Sequence, residues 1–146
     1  MFRGSAATKI DDKGRLKVPT DFRRLLEERY GPDLFVTSVT GESAFLYPLS
    51  VWEEIEQRLL SLPSTDPSRV RFLERANYFG QQVHLDQQGR LLVPTILRER
   101  AGINGDVVVI GELNRLVVWN HERFATRLEG QPFSDEDFRA LSLQGI

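Results

Sequence analysis

Two segments of this chain, 75 residues apart, carry nearly the same sequence. Residues 10–23 are Ile-Asp-Asp-Lys-Gly-Arg-Leu-Lys-Val-Pro-Thr-Asp-Phe-Arg, and residues 85–98 are Leu-Asp-Gln-Gln-Gly-Arg-Leu-Leu-Val-Pro-Thr-Ile-Leu-Arg. Eight of the fourteen positions are identical. Further along, Tyr47 and Trp52 correspond to Trp119 and Phe124 at an offset of 72. Two copies are too few for a solenoid, so the repeat predicts a duplicated module folded as a pseudo-symmetric pair.

Each repeated segment is predicted to form a β-hairpin, because apolar and polar residues alternate on both sides of a turn. Asp11 and Asp86 favour turns, since an Asp side chain bonds to the backbone two residues on. Gly14 and Gly89 supply the positive φ that a tight turn needs. We therefore assign these four residues a structural role in the two hairpins.

Short helices are expected after both hairpins. Pro19 and Pro94 end the returning strands because proline has no N–H for the ladder, and Thr20 and Thr95 are expected to cap the helices. These helices are predicted at 21–29 and 96–101. Strand pairs are then predicted at 34–39 with 44–47 and at 107–110 with 116–119.

The helical segments between the two copies also carry terminal signals. Ser50 with Glu53 predicts a capping box at the start of the helix that follows the first strand pair. Pro67 is suited to the first position of a second helix, which is expected to end at Gly80.

The predicted fold class is therefore mainly β with short helices, an α+β arrangement of two tandem modules. The predicted boundaries are 5–51 for the first module, 81–123 for the second, 64–80 for a connecting helix and 129–146 for an acidic C-terminal tail.

Charge is distributed unevenly along the chain. The 146 residues carry a formal net charge of −2, with 40% hydrophobic and 27% charged residues, a composition typical of globular proteins. Residues 1–24 contain seven basic and three acidic side chains, whereas residues 129–146 contain four acidic and one basic. An acidic chain polarised in this way is compatible with one basic, phosphate-binding face.

No pattern for catalysis or metal binding is found. The chain has no Cys, and its two histidines, His84 and His121, lack the spacing of a zinc helix. Phosphate-cradling and nucleophile-elbow motifs are absent. We therefore expect no enzyme activity, no cofactor, no metal and no small-molecule substrate. We expect no secretory signal, because no apolar run follows Arg3. We also expect no membrane segment, because no apolar run approaches ~18 residues.

The tandem Asp-x-x-Gly-Arg-Leu-x-Val-Pro motifs, the opening Met-Phe-Arg-Gly and the Leu-Tyr-Pro-Leu segment at 46–49 resemble the MraZ family. These are bacterial transcriptional regulators made of two modules similar to the AbrB/SpoVT DNA-binding domain. The resemblance covers residues 1 to about 128. It implies an interleaved-hairpin β-barrel, assembly into a closed homo-oligomeric ring, and a cytoplasmic, nucleoid-associated protein. It also implies binding to double-stranded DNA at repeated boxes in the promoter of its own cell-division and cell-wall operon.

The candidate DNA-binding residues are the basic side chains in and around the two hairpins, Arg15 above all. An alternative role for Arg15 is an intramolecular pair with Asp11 that holds the turn. The full candidate set is Arg15, Lys13, Lys17, Arg3, Lys9 and Arg90.

The two copies differ around their shared arginine. The second has Gln88 and Leu92 where the first has Lys13 and Lys17. Leu92 suggests a strand face that is buried, either in the fold or between subunits. We therefore expect the first module to make the main DNA contact.

A second class of function stays open at this point. The barrel type is shared with toxin-neutralising proteins, so the chain is alternatively an antitoxin-like interaction scaffold with secondary DNA binding. An acidic tail suits a basic protein partner.

Overall fold

The computed structural model describes all of residues 1–146 and contains eight strands and six helices. In chain order these are β1 (Ser5–Ile10), β2 (Arg15–Lys17), α1 (Thr20–Arg29), β3 (Asp33–Thr37), β4 (Ala44–Pro48), α2 (Leu49–Leu60), α3 (Pro67–Tyr78), β5 (Gln81–His84), β6 (Arg90–Leu92), α4 (Thr95–Ala101), β7 (Gly105–Glu112), β8 (Arg115–Asn120), α5 (His121–Gly130) and α6 (Asp135–Ser142). The predicted mainly-β class with short helices is confirmed.

All eight strands belong to one antiparallel sheet in the order β5-β3-β4-β8-β7-β1-β2-β6. The two outermost strands, β5 and β6, are consecutive in the chain and are joined by the second repeated turn. The sheet therefore curls into a nearly closed barrel, in which most strand edges are paired.

Strands from the two halves of the chain interleave in this barrel. β1 pairs with β7 and β3 with β5, while β2 pairs with β6 and β4 with β8. The hairpins are also joined reciprocally. The backbone N–H of Val18 donates to the carbonyl of Gly89, and that of Val93 donates to the carbonyl of Gly14, both at 2.9 Å. The duplicated sequence therefore gives a pseudo-two-fold, interleaved fold.

The main hydrophobic core contains 22 buried residues drawn from both halves. Leu16 and Leu91, the central residues of β2 and β6, lie opposite each other in register and are almost completely buried. A second, smaller cluster of Tyr47, Val51, Trp52 and Ala76 packs α2 and α3 onto the sheet. One core is thus shared between the two repeats.

The predicted Thr caps are wrong by one residue. Helices α1 and α4 begin at Thr20 and Thr95, and the N-cap positions belong to Pro19 and Pro94, with no side-chain cap hydrogen bond. Both prolines have φ near −55° and an extended ψ, so the chain turns directly from strand to helix at the proline.

The predicted Ser50–Glu53 capping box is also wrong. Helix α2 begins at Leu49 behind Pro48, which places Ser50 inside the first turn with no capping bond. The start predicted at Pro67 is confirmed, because Asp66 caps α3 by accepting from the backbone N–H of Arg69. None of the six helices combines the length and apolar character needed to span a bilayer.

Candidate nucleic-acid interface

The first repeated turn is organised by the carboxylate of Asp11. Its Oδ1 accepts hydrogen bonds from the backbone N–H of Lys13 at 3.0 Å and of Arg15 at 2.8 Å. Its Oδ2 accepts from the guanidinium Nε of Arg15 at 2.8 Å. The backbone N–H of Arg15, helped by its guanidinium, holds the pKa of Asp11 below its usual range.

The second turn is built in the same way around Asp86. Its Oδ1 accepts from the backbone N–H groups of Gln88 and Arg90, both at 2.8 Å, and its Oδ2 from the Nε of Arg90 at 3.3 Å. The pKa of Asp86 is lowered chiefly by the backbone N–H of Arg90. In both turns only Nε of the guanidinium bonds to the Asp, and the terminal Nη groups form no hydrogen bond within the chain.

Each turn is covered by an arginine from the other half of the chain. A Cβ on Gly14 would lie 2.5 Å from Nε of Arg98, and a Cβ on Gly89 would lie 2.7 Å from Cδ of Arg23. Arg23 also donates from Nη2 to the carbonyl of Gln87 at 2.7 Å. Both glycines have positive φ and are buried beneath these side chains. The chain therefore needs glycine here for conformation and for space.

Arg23 and Arg98 occupy identical positions of the repeat, yet neither is among the candidate residues predicted from the sequence. The presence of arginine at the same position in both copies was the signal that could have pointed to a shared role. Their contacts cross between halves that lie 64 residues or more apart in sequence, so only the interleaved fold shows what they do.

The pairing of β2 with β6 brings the two motifs onto one surface. Arg15 lies opposite Leu92, Leu16 opposite Leu91, and Lys17 opposite Arg90. Because side chains alternate along a strand and the two leucines face the core, the other four point outward together. We call these four residues, Arg15, Lys17, Arg90 and Leu92, the ribbon face. Its two arginines are diagonal neighbours, about 7–8 Å apart at Cα.

The ribbon face carries like charges directly opposite each other. Lys17 faces Arg90 across the ladder, an arrangement that destabilises an isolated sheet. Lys17 is exposed and forms no ion pair, whereas the opposing Arg90 is paired with Asp86 at 3.3 Å. An anionic ligand on this face would remove the repulsion.

Lys13 and Lys9 lie at the border of the ribbon face. Lys13 sits on the exposed turn without an ion pair. Lys9 lines a shallow depression together with Lys17, and its Nζ lies 4.0 Å from a carboxylate oxygen of Asp106. Both lysines extend the basic surface that the two arginines begin.

Arg3 is not brought together with the other candidates. It precedes β1, at the end of that strand opposite the repeated turn, and lines a separate depression beside α1 with Asp21 and Arg24.

Leu92 corrects the sequence-based view of the second motif. Its relative exposure is 40%, so burial within the fold is wrong, and burial between subunits stays a prediction. The reason is the register: Leu92 lies opposite Arg15 on the outer face, and the core position belongs to Leu91. Within one chain both motif arginines lie on the ribbon face and pair with the Asp of their own turn, but Arg15 lies opposite Leu92 and Arg90 opposite Lys17.

The remaining polar contacts include one pair between a histidine and a carboxylate. His84 pairs through Nδ1 with Asp33 at 2.9 Å, an exposed contact between neighbouring strands. No group of three or more His, Cys, Asp or Glu side chains is placed to hold a metal ion.

Comparison with known families agrees with this duplicated architecture. A family model described as "MraZ protein, putative antitoxin-like" matches residues 1–75 and 80–143, which include both hairpins. The chain belongs to the MraZ family. The family match thus covers both the ribbon face and the arginines that hold the turns.

Individual members of the family are similar over the full chain. Proteins named Transcriptional regulator MraZ from Acidobacterium capsulatum and Koribacter versatilis are each 49% identical to it, with 100% of both chains covered. The protein of the same name from Haemophilus influenzae is 33% identical, covering 98% of this chain and 97% of its own length. These MraZ relatives are named as regulators and not as enzymes.

Proposed function

We propose that this protein is a sequence-specific, double-stranded DNA-binding transcriptional regulator, and that the ribbon face contacts the DNA. The observation that carries the proposal is the register of β2 and β6, which places Arg15, Lys17 and Arg90 side by side on one exposed surface. The MraZ relatives named as transcriptional regulators support it.

The Asp–Arg pairs orient the guanidinium groups for contact with bases. Asp11 takes the Nε of Arg15 and leaves the two Nη groups free to donate as a fork. Such a fork matches the O6 and N7 acceptors of guanine in the major groove, a contact that provides about 1–3 kcal/mol of discrimination. Holding the side chain in the free protein reduces the entropy lost on binding. Arg90, held by Asp86, acts in the same way on a neighbouring base or phosphate.

The lysines provide binding without base specificity. Lys13, Lys17 and Lys9 surround the two arginines and are placed to contact phosphates of the backbone. Each phosphate contact contributes about −0.9 to the slope of log affinity against log salt. Arg3 lies too far along β1 to join the same contact, so its role would be with a more distant phosphate.

Several copies would act together on the promoter. A ribbon face of four outward side chains is a small contact, so its affinity is raised by avidity when a homo-oligomeric ring engages repeated boxes. The promoter of its own cell-division and cell-wall operon is the proposed target, and a cytoplasmic, nucleoid-associated location follows. The ring, the repeated boxes, the operon and the location are proposed on the resemblance to the MraZ family.

A DNA titration tests the proposal directly. The full chain is titrated with duplex DNA from upstream of its own gene, at several salt concentrations, and compared with Arg15→Ala. We expect the variant to lose about tenfold or more in affinity for the specific duplex, consistent with one bidentate base contact. Arg71→Ala is the control, because Arg71 is exposed on α3 without an ion pair. Binding that is insensitive to salt and to Arg15→Ala would overturn the proposal.

The position of both arginines on one face gives a second expectation, which differs from the sequence-based one that the first module makes the main DNA contact. Arg90→Ala should weaken specific DNA binding to an extent similar to Arg15→Ala, because the two guanidinium groups share one face and one mode of orientation. Footprinting of both variants would show which boxes each loses. A wild-type footprint for Arg90→Ala would restrict the DNA contact to the first motif.

A further inference from the structure

The C-terminal helix α6 has an apolar side that nothing in its own chain covers. Every residue from 131 to 146 is exposed, including Phe133, Phe138 and Leu143. The two phenylalanine rings contact each other, with centroids 4.7 Å apart. An isolated helix of eight residues is unstable in water without tertiary packing. A partner surface is therefore required to stabilise α6.

The chemistry of α6 is acidic as well as aromatic. Its first turn carries Asp135, Glu136 and Asp137, and Ser134 and Asp137 form a complete capping box. Hydrogen bonds from the backbone N–H and hydroxyl of Ser134 hold the pKa of Asp137 below its usual range. The complementary surface must be basic and must accept aromatic rings.

The same chain provides a surface of that kind along α5. Two adjoining depressions, of about 510 Å³ and 380 Å³, share Thr40 and Arg100. We call them together the arginine groove, defined by Arg75, Arg100, Arg123 and Arg127. Trp119 and Tyr78 contribute aromatic surface, and Glu42 and Glu74 are the only acidic side chains that line it.

The arginines of the groove are held in place by the protein. The guanidinium of Arg127 lies 5.1 Å from the centre of the Trp119 ring, and that of Arg100 lies 5.7 Å from the Phe79 ring. Arg123 donates from Nη1 to the carbonyl of Arg100 at 3.3 Å. Only Arg127 has a carboxylate within reach, that of Glu42 at 4.0 Å. The groove thus presents ordered and largely unneutralised positive charge.

We propose that α6 of one copy docks into the arginine groove of a second copy of this chain. Its acidic first turn pairs with the arginines, and Phe133 and Phe138 pack against the aromatic side chains of the groove. Because tail and groove are different patches, the contact is head-to-tail, which is the kind that closes a ring when the rotation between copies permits. The inference deepens the self-association in the proposed function and rests on it.

Charge reversal on either side tests the contact in the full-length protein. The tail variant is Asp135→Lys with Glu136→Lys, which keeps the Ser134–Asp137 box. The groove variant is Arg100→Glu with Arg127→Glu. Each should raise the apparent Kd of self-association at least about tenfold, measured as mass against concentration by light scattering. Arg58→Glu with Arg71→Glu, on exposed arginines of α2 and α3 without ion pairs, is the matched control and should leave the mass unchanged.

Mixing the two variants shows whether the contact is between chains. An equimolar mixture pairs reversed tails with reversed grooves and native tails with native grooves, so it should recover the wild-type mass. Recovery in a single chain carrying both reversals, but not in the mixture, would show that the tail docks on its own groove and would overturn the inference. Wild-type mass in both separate variants, with far-UV circular dichroism unchanged, would also overturn it.

Two further outcomes are distinguished by the same proteins. If the tail variant keeps its mass while inorganic phosphate binds the wild-type groove and not the groove variant, the groove is a small-anion site and the inference fails. If the wild type is monomeric at every concentration, the self-association in the proposed function fails as well. DNA binding to a single box, measured on the same variants, reports on the ribbon face separately.

Discussion

Asp11 and Asp86 each combine two tasks in one side chain. One carboxylate oxygen accepts from two backbone N–H groups and fixes the turn, and the other accepts from the guanidinium of the motif arginine. The two roles that the sequence left as alternatives, holding the turn and orienting the arginine for a ligand, are therefore compatible. At this scale the sequence predicted the turn residues, and it offered the Asp11–Arg15 pair as an alternative to ligand binding. It did not predict that Arg23 and Arg98 would cover the turns.

The lowered pKa values of these carboxyl groups predict an acid-sensitive contribution to stability. Because the pKa of each Asp is lower in the folded protein than in the unfolded chain, the stabilisation is fully present above the unfolded pKa. It is lost as the pH falls through the folded pKa. For Asp11→Asn, the difference in Tm from the wild type should be largest near neutral pH and should disappear in this acid range.

Asp12→Asn provides the control for this experiment. Asp12 is the adjacent, exposed carboxylate and accepts no hydrogen bond, so its variant should follow the wild-type profile. A constant Tm difference between wild type and Asp11→Asn at all pH values would contradict the assignment.

Each hairpin, at the scale of the element, is completed by the opposite half of the chain. Gly14 lies beneath Arg98, whose Nε donates to the carbonyl of Val93 and whose Nη2 donates to Thr95. A side chain on Gly14 would therefore have to displace an arginine that is already hydrogen-bonded. Sequence patterns predicted the hairpins and most helices. They misplaced the starts of the three helices whose N-caps are Pro19, Pro48 and Pro94.

Substitution of this glycine should be costly for two separable reasons. Gly14→Ala is expected to lower the free energy of unfolding by about 1–2 kcal/mol, because alanine is strained at a φ of +86°. A further ~1 kcal/mol is expected because Arg98 loses hydrogen bonds when it moves. Gly31→Ala is the matched control, since Gly31 has a φ of +92° with no atom within 4 Å of the added Cβ. Urea unfolding should therefore rank Gly14→Ala below Gly31→Ala in stability, and equal losses would refute the steric contact.

The whole molecule is one barrel made from two half-chains. β1 pairs with β7 along its whole length, and β3 pairs with β5, so each half depends on strands from the other. The modules predicted at 5–51 and 81–123 thus contribute to a common core in the folded chain.

Separation of the halves should expose this dependence. Fragments 1–63 and 64–146, cut at the exposed Pro63–Ser64 bond, are expected to be unfolded as monomers, because each loses the partners of its main strands. Mixing them should restore the β-sheet signal in far-UV circular dichroism and a cooperative thermal transition. A fragment that folds alone as a monomer would show that its module is autonomous.

The sequence by itself determined the duplication, the Asp-x-x-Gly-Arg turns, the mainly-β class and the polarised charge, because turn chemistry and strand periodicity are local properties. The tertiary structure decided the register of β2 against β6, and with it the meeting of Arg15, Lys17 and Arg90 on one face. It also decided that Leu91 is buried and Leu92 exposed, since a shift of one residue would exchange their faces. Pairing between strands about 75 residues apart depends on the packing of the whole barrel, which no local pattern contains.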